Sequence, residues 1–180
     1  PVECDIYGTK LVCKHKRGKN NEHDRFKVRC VMLGNQLNAA EARKRKRALA
    51  GGAAGAYVEL RVTAPTLRHS SFKCSSAVGV IKGMRRRCFD VAAAYLQGTQ
   101  ITRTVYVRAP PDCREYDERG VEFVWLLLRP LYGEPDAGRV WYNTFAYHMI
   151  EVEGWHRSDY DSRIFTKFFE NCAEMVLDLY

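Results

Sequence analysis

The stretch CFDVAAAYLQG, residues 88–98, decides how this chain is interpreted. It places Asp90 between the apolar residues Phe89 and Val91 and then continues into a run of small residues. A carboxylate at the end of an apolar run has two ready explanations. It binds a metal ion, or it caps the N-terminus of the Ala-rich stretch 92–95. The local sequence leaves both explanations open.

Two β-rich segments lie towards the N-terminus, DIYGTKLVCKH (5–15) and DRFKVRCVML (24–33), with a polar loop rich in Gly and Asn between them. This pattern predicts a β-hairpin with an exposed basic loop. Lys27 and Arg29 alternate along the second strand and therefore share one face. They either bind an anionic ligand or form a pair of solvated edge-strand charges.

The residues that follow the hairpin, 37–60, differ in composition from the rest of the chain. They contain a basic run and then the small-residue linker AGGAAGA. The basic run predicts either nucleic-acid binding or nuclear import, and a solvated helix face is the alternative. Its members are Arg43, Lys44, Arg45, Lys46 and Arg47.

Beyond Pro65 the pattern predicts strands interspersed with two helices. The first helix covers 68–84, where apolar residues recur every four positions. The second begins at Pro135, and four residues mark its buried face: Trp141, Phe145, Met149 and Val152. Strands are expected over 104–111 and 122–133, with a closing hairpin from 163–169 and 173–180. This is an α+β fold, with an antiparallel sheet and helices packed on one face.

Composition narrows the classes of function. Hydrophobic residues make up 46% of the 180 residues, which is enough for a real core. The net charge of +8 suggests a polyanionic partner such as nucleic acid. Seven cysteines without a Cys-x-x-Cys spacing argue against a disulfide framework or a zinc knuckle and favour reduced thiols in an intracellular protein. No apolar run approaches the roughly 20 residues of a membrane span.

Taken in order, these segments resemble the reverse transcriptase of copia-type retrotransposons over nearly the whole chain. The blocks that carry the resemblance are DRFKVRCVMLGNQ (24–36), TAPTLRHSSFK (63–73), CFDVAAAYLQG (88–98), VYVRAPPD (105–112), LLRPLYGEPDAGRVWY (127–142) and GWHRSDYDSRIF (154–165). The resemblance implies polymerase-like fingers over 1–64, with the insertion at about 37–60, and an incomplete palm over 65–180. Tyr180 matches the Tyr of a Tyr-x-Asp-Asp motif, so the chain is expected to stop just before the second catalytic motif.

The resemblance also implies two-metal nucleotidyl transfer. Asp90 would be a catalytic residue and a ligand of Mg²⁺, held at the tip of a central strand and assisted by the backbone carbonyl of Val91, with Mn²⁺ as an alternative ion. Tyr95 would lie under the sugar of the incoming nucleotide and select deoxynucleotides by excluding a 2′-hydroxyl. The other expected nucleotide contacts are Arg29, Lys27, Tyr132 and Gly133.

The expected partners are an RNA or DNA template-primer, deoxynucleoside triphosphates and the rest of a polyprotein that includes integrase and RNase H. No membrane role is expected, and the expected location is intracellular, in a cytoplasmic particle, in the nucleus or in both. Because the Asp-Asp pair is missing, the segment is predicted to be inactive alone. Two alternatives remain: a non-catalytic nucleic-acid-binding relic of a retroelement, and a basic structural module.

Overall fold

A computed structural model describes residues 6–18, 20–37, 40, 42, 63–101, 103–170 and 174–179. Within these ranges the chain is a mixture of α and β structure, with three small sheets. The predicted α+β class is confirmed at this level. The predicted single antiparallel sheet is wrong, because the described strands divide into separate sheets and one of their pairings is parallel.

The first sheet is the predicted hairpin. Strand β1 (Ile6–Tyr7) leads through Gly8 into β2 (Thr9–Arg17), which pairs antiparallel with β3 (His23–Met32). Both long strands run further into the polar loop than the sequence suggested. Thr9 and Met32, which pair at the base of the hairpin, are buried. Most of the hairpin beyond this pair is exposed.

The second sheet ties the base of the hairpin to the middle of the chain. β4 (Tyr106–Arg108) lies between β1, to which it is parallel, and β5 (Val124–Leu126), to which it is antiparallel. Below it is a small core built from seven buried residues: Tyr7, Met32, Leu37, Ala40, Ile101, Val105 and Val107. The hairpin is therefore anchored at its base by the same apolar cluster that supports β4.

Helix α1 (His69–Ile81) lies within the predicted helix 68–84, but it does not have the buried face that the apolar spacing predicts. None of its residues is buried, and Val80 and Ile81 are 81% and 83% exposed. Its start is held by Asp161, whose Oδ2 accepts the backbone N–H of Arg68 at 3.0 Å. Burial opposes ionisation of Asp161, but hydrogen bonds from Ser71 and two backbone amides outweigh it, so its pKa lies below the ordinary value.

Helix α2 (Ala137–Tyr147) continues into a π-helical turn, His148–Val152, and packs against the third sheet. That sheet contains β6 (His156–Arg157), β7 (Ile164–Phe168) and β8 (Glu174–Asp178), all antiparallel. Five buried residues form the second core between them: Tyr142, Ala146, Met149, Phe165 and Leu179. The predicted closing hairpin is confirmed.

The buried face of α2 differs from the predicted face. Trp141 and Phe145 are half-buried and Val152 is 62% exposed, whereas Tyr142 is fully buried. Tyr142 tolerates burial because its hydroxyl donates to the Ser162 carbonyl at 2.7 Å. The π-helical turn after Tyr147 needs an extra residue to complete its turn, and this shifts the phase of the following positions so that Val152 lies on the solvent side.

Candidate functional site

The turn at Tyr132–Gly133 is joined to the end of β3. The Met32 amide donates to the Tyr132 carbonyl at 2.7 Å. Gly133 has φ +87°, and a Cβ built there would overlap the Met32 carbonyl and lie 2.7 Å from Val31 Cγ1. A Cβ built on Gly34 would overlap the Gly133 carbonyl. Two glycines therefore allow the turn and the strand end to touch through their backbones.

Three of the predicted nucleotide contacts lie in one row beside this turn. The guanidinium of Arg29 is 5.3 Å from the centroid of the Tyr132 ring, and the Tyr132 and Tyr95 rings are 5.2 Å apart. Tyr95 is half-buried, and its hydroxyl lies close to Gly138 at the start of α2. We refer to Arg29, Tyr132 and Tyr95 as the aromatic row. It combines a cation–π contact with a pair of rings tilted by 45°.

One face of the hairpin is strongly cationic, and the aromatic row continues from it. The antiparallel register sets Lys14 opposite Lys27 and Lys16 opposite Arg25. Directly opposed side chains point to the same face. Six cations therefore share what we call the cationic face: Lys10, Lys14, Lys16, Arg25, Lys27 and Arg29.

The neighbouring positive charges of the cationic face change the pKa of Lys27. The guanidinium of Arg29 is the largest influence, and with partial desolvation it lowers the pKa of the Lys27 ammonium below its ordinary value. Lys16 and Arg25 lower this pKa further, and Asp90 opposes them. Asp90 is therefore close enough to the cationic face to act on Lys27 electrostatically. A bound anion would relieve this repulsion.

The predicted location of Asp90 at the tip of a central strand is wrong. It lies in an irregular exposed segment, because a strand needs a paired neighbour and no described strand pairs with 88–91. The capping explanation also fails, since the 3-10 helix Ala94–Gln97 that follows has Ala93 at its N-cap, with no side-chain cap. Val91 is half-buried next to Asp90. The Asp90 carboxylate is thus left free to bind a ligand.

A buried ionic cluster below the turn was missed from the sequence. Arg103 pairs through its two terminal nitrogens with Glu134 and Asp136, and its Nη2 is 2.8 Å from Asp136 Oδ1. Both carboxylates are almost completely buried. Glu134 Oε2 also accepts the Leu131 amide at 3.1 Å, which closes the turn around Gly133. The acidic residues flanking Pro135 were the only signal in the sequence.

Burial raises the pKa of Glu134 above its ordinary value, with Arg103 opposing the rise. Arg103 and the amide of Leu131 favour the ionised form of Glu134 and oppose the effect of burial. The cluster consists of one cation and two carboxylates, so removal of the cation would leave two buried negative charges unpaired.

The described residues do not on their own fit a pair of Mg²⁺ ions. Nowhere in the described ranges do three His, Cys, Asp or Glu side chains gather at metal-binding distance. Asp178 is already engaged, because its Oδ2 accepts Ser75 Oγ at 2.7 Å and Arg86 Nη2 at 3.0 Å. Asp90 remains as one hard-oxygen ligand of the kind that Mg²⁺ prefers.

Several predicted residues fall outside the described ranges. These are the basic run Arg43–Arg47 and the terminal Tyr180. Among the described helices, none is both long enough and apolar enough to cross a bilayer.

Residues 1–180 match the family described as reverse transcriptase (RNA-dependent DNA polymerase), and the chain belongs to this family. The resemblance recognised in the sequence is thereby confirmed. The chain is similar to two Arabidopsis thaliana proteins, the retrovirus-related Pol polyproteins from transposons RE1 and RE2. Each is 26% identical to it over 166 residues, which is 92% of this chain and 10% of the relative. No solved structure matches the chain significantly.

Proposed function

We propose that this chain is the fingers and part of the palm of a retrotransposon reverse transcriptase, acting within a Pol polyprotein. The observation that carries the proposal is that the aromatic row adjoins the cationic face through Arg29, with the exposed carboxylate of Asp90 near enough to raise the pKa of Lys27. A deoxynucleoside triphosphate needs cations for its phosphates and a flat surface for its sugar and base. Both are present on adjoining surfaces of the site.

In this proposal each member of the row has a separate role. Arg29 binds phosphate oxygens through its planar fork, and Lys27 adds a point charge. The Tyr95 ring lies under the sugar and excludes a 2′-hydroxyl. Tyr132 holds the guanidinium of Arg29 by a cation–π contact, and Gly133 lets the backbone approach the nucleotide and template.

Asp90 supplies one of the carboxylates that hold Mg²⁺ in the intact polymerase. Among the described residues it is not part of any group of three or more His, Cys, Asp and Glu side chains that could hold a metal ion. We therefore propose that the remaining ligands come from elsewhere in the parent polyprotein and that residues 1–180 are inactive alone. Template-primer, deoxynucleoside triphosphates and the other polyprotein modules are the partners of this proposal.

Nucleotide binding by the 180-residue chain, measured by isothermal titration with a deoxynucleoside triphosphate, tests the site directly. Arg29→Ala should weaken binding about tenfold, since a hydrogen-bonded ionic contact of this kind is worth roughly 1.5 kcal/mol or more. Arg119→Ala removes an exposed cation from a distant turn and should leave binding unchanged. Equal weakening of nucleotide binding in both variants would show that binding depends only on net charge and would contradict the proposed site.

Primer extension tests the catalytic part of the proposal. Residues 1–180 alone should give no synthesis, whereas the parent polyprotein should give synthesis that disappears with Asp90→Asn. Robust, Asp90-dependent extension by the isolated segment would contradict the predicted inactivity. Unchanged synthesis by the Asp90→Asn parent would contradict the role of Asp90.

A second candidate is a non-catalytic nucleic-acid-binding protein. The length of the cationic face favours it, because the cross-strand pairs from Lys10 to Lys16 span about 20 Å, more than one triphosphate needs. Binding of an RNA–DNA hybrid would then fall steeply with salt and be indifferent to Mg²⁺ and to Asp90→Ala. Dependence on either would favour the polymerase.

A further inference from the structure

The end of the hairpin brings together two histidines, one from each strand. The ring centroids of His15 and His23 are 4.7 Å apart, and the planes of the rings are tilted by 33°. Both side chains are exposed to solvent. The ring of Phe26 lies about as close to each of them, at 5.1 Å and 5.0 Å between centroids. The proposed nucleotide site uses neither histidine, so the pair needs an explanation of its own.

A β-bulge places the two histidines on the same face of the hairpin. The strand register skips Asp24, because His23 and Arg25 are paired with consecutive residues of β2. In a regular strand, residues two positions apart share a face, and His23 would then lie on the face of Arg25. The extra residue turns the His23 ring towards His15 instead. Bulges re-aim side chains in this way and are frequent beside functional sites.

The separation of the rings suits two ligands of one metal ion. A first-row metal ion lies about 2.1 Å from an imidazole nitrogen, so two rings that share it have centroids roughly 4.6 to 5.3 Å apart for angles between a right angle and a tetrahedral one. The 4.7 Å between His15 and His23 falls in this range. The outer torsion of a histidine side chain is soft, and both side chains are exposed. Each ring can therefore turn a nitrogen towards a shared ion.

The charges around the pair favour a cation. Residues 9–32 contain two carboxylates, Glu22 and Asp24, and these flank His23 on both sides in the sequence. The strand register directs the cationic face to the other side of the hairpin, away from the histidines. A divalent ion at the pair is therefore not forced against the lysines and arginines of that face.

We propose that His15 and His23 bind one divalent first-row transition-metal ion, which ties the ends of β2 and β3 together. Neutral imidazole suits Ni²⁺, Cu²⁺ and Zn²⁺, whereas Mg²⁺ requires oxygen ligands. Within the described part of the chain no third His, Cys, Asp or Glu joins the pair, so water fills the other coordination positions. The site is separate from the one proposed around Asp90 and does not depend on it.

The test titrates the 180-residue chain with Ni²⁺ by isothermal calorimetry. Loss of a ligand should cost at least as much as loss of an outer-shell partner, so His15→Ala and His23→Ala should each weaken binding at least about tenfold. The double variant should bind no more weakly than either single variant, because one ring alone no longer forms the site. His156→Ala is the matched control, since His156 is an exposed histidine on β6. It should leave Ni²⁺ binding unchanged, and Mg²⁺ should not compete.

Hydrogen exchange tests the proposed link between the strands. Ni²⁺ at about ten times its Kd should slow exchange of the amides near His15 and His23 about tenfold, because opening this end of the hairpin breaks the site. His23→Ala should abolish the slowing.

Three results would overturn the proposal. These are equal Ni²⁺ affinity of the wild-type chain and His23→Ala, single losses that add up in the double variant, and an equal loss in His156→Ala. The first would show that the pair does not bind the ion, and the others that exposed histidines bind it one by one. None of these results bears on nucleotide binding or primer extension, so the proposed function is tested separately.

Discussion

The two sides of the candidate site are built differently. The turn side, residues 131–136, is held by a buried ionic cluster, by backbone contact between two glycines and by the Met32–Tyr132 hydrogen bond. The Asp90 side, residues 84–93, is irregular and mostly exposed. Its clearest fixed point is Arg86, which lies 4.5 Å from the centroid of the Phe72 ring and pairs with Asp178.

In the proposed function, this difference separates the residues proposed to bind the nucleotide from the residue proposed to bind the metal ion. The turn side is organised by contacts within the described chain, so the aromatic row can form without a ligand. Asp90 lies in an irregular, exposed segment, and in the proposed polymerase its position would be fixed by the groups that complete the proposed metal site. Changes on the turn side should therefore alter stability strongly, whereas changes on the Asp90 side should alter it little.

Arg103→Met should have the largest effect. It removes the one cation that faces two buried carboxylates, and breaking a buried pair in this way costs about 4 kcal/mol. Arg103→Lys keeps the charge but cannot reach both carboxylates with a planar fork, so its loss should be about half as large. The measurement is the free energy of unfolding in urea at pH 7.5. A loss below about 1 kcal/mol for Arg103→Met would show that the cluster does not hold the turn.

The pH dependence of this deficit gives a second test. Because the pKa of Glu134 is raised in the fold, its contribution to stability is fully present below the ordinary pKa of 4.5 and is lost as pH rises through the raised value. Without Arg103 the pKa of Glu134 should rise further. The deficit of Arg103→Met relative to wild type should therefore shrink as the pH is lowered from 7.5 towards 5. A deficit that grows on acidification would contradict the assignment.

Gly133→Ala should have the next largest effect, about 3 kcal/mol. Left-handed backbone alone costs a non-glycine residue roughly 1–2 kcal/mol, and the added Cβ would also overlap the Met32 carbonyl. Gly120→Ala is the matched control, because Gly120 has φ +79° but open space around it. Thermal unfolding should show a loss of about 1 kcal/mol there. Equal losses at the two positions would mean that the close approach is unimportant.

The hairpin shows what the sequence was able to predict. Its two strands follow from alternation and from a Gly/Asn loop, both of which are local signals. The register that opposes Lys14 to Lys27 is not local, because it depends on how the loop closes. Arg103 and Glu134 are 31 residues apart in the sequence, so their pairing depends on tertiary packing and is not a local signal either.

In the candidate site, too, the sequence predicts which residues matter but not how they are arranged. Asp90, Tyr95 and Arg29 were singled out because their blocks resemble a known family, and only the fold brings Tyr95 and Arg29 to the two ends of one row. The strand expected at Asp90 failed because an apolar run is a strand only when a neighbour pairs with it. The roles of these residues remain predictions.

Arg86→Ala probes the Asp90 side and should cost about 1 kcal/mol. It removes a half-exposed ion pair with Asp178 and the cation–π contact with Phe72, each of which contributes modestly in water. The adjacent Arg85→Ala removes an exposed arginine of the same basic cluster and should change stability by less than about 0.5 kcal/mol. Thermal unfolding of the two variants side by side measures the difference. Indistinguishable variants would leave the Asp90 segment without its proposed anchor.

Asp90→Asn should have the smallest effect on folding, within about 0.5 kcal/mol, because its side chain is exposed and leaves no cavity. Its effect should appear instead at Lys27, whose pKa Asp90 raises against the pull of the surrounding cations. Removing the carboxylate should lower the Lys27 pKa further, as followed by NMR titration of the lysine side chains. Lys10 lies at the other end of the cationic face and serves as the internal reference. An unchanged Lys27 titration would show that Asp90 does not act on the cationic face and would remove the link between the carboxylate and the residues proposed to bind phosphate.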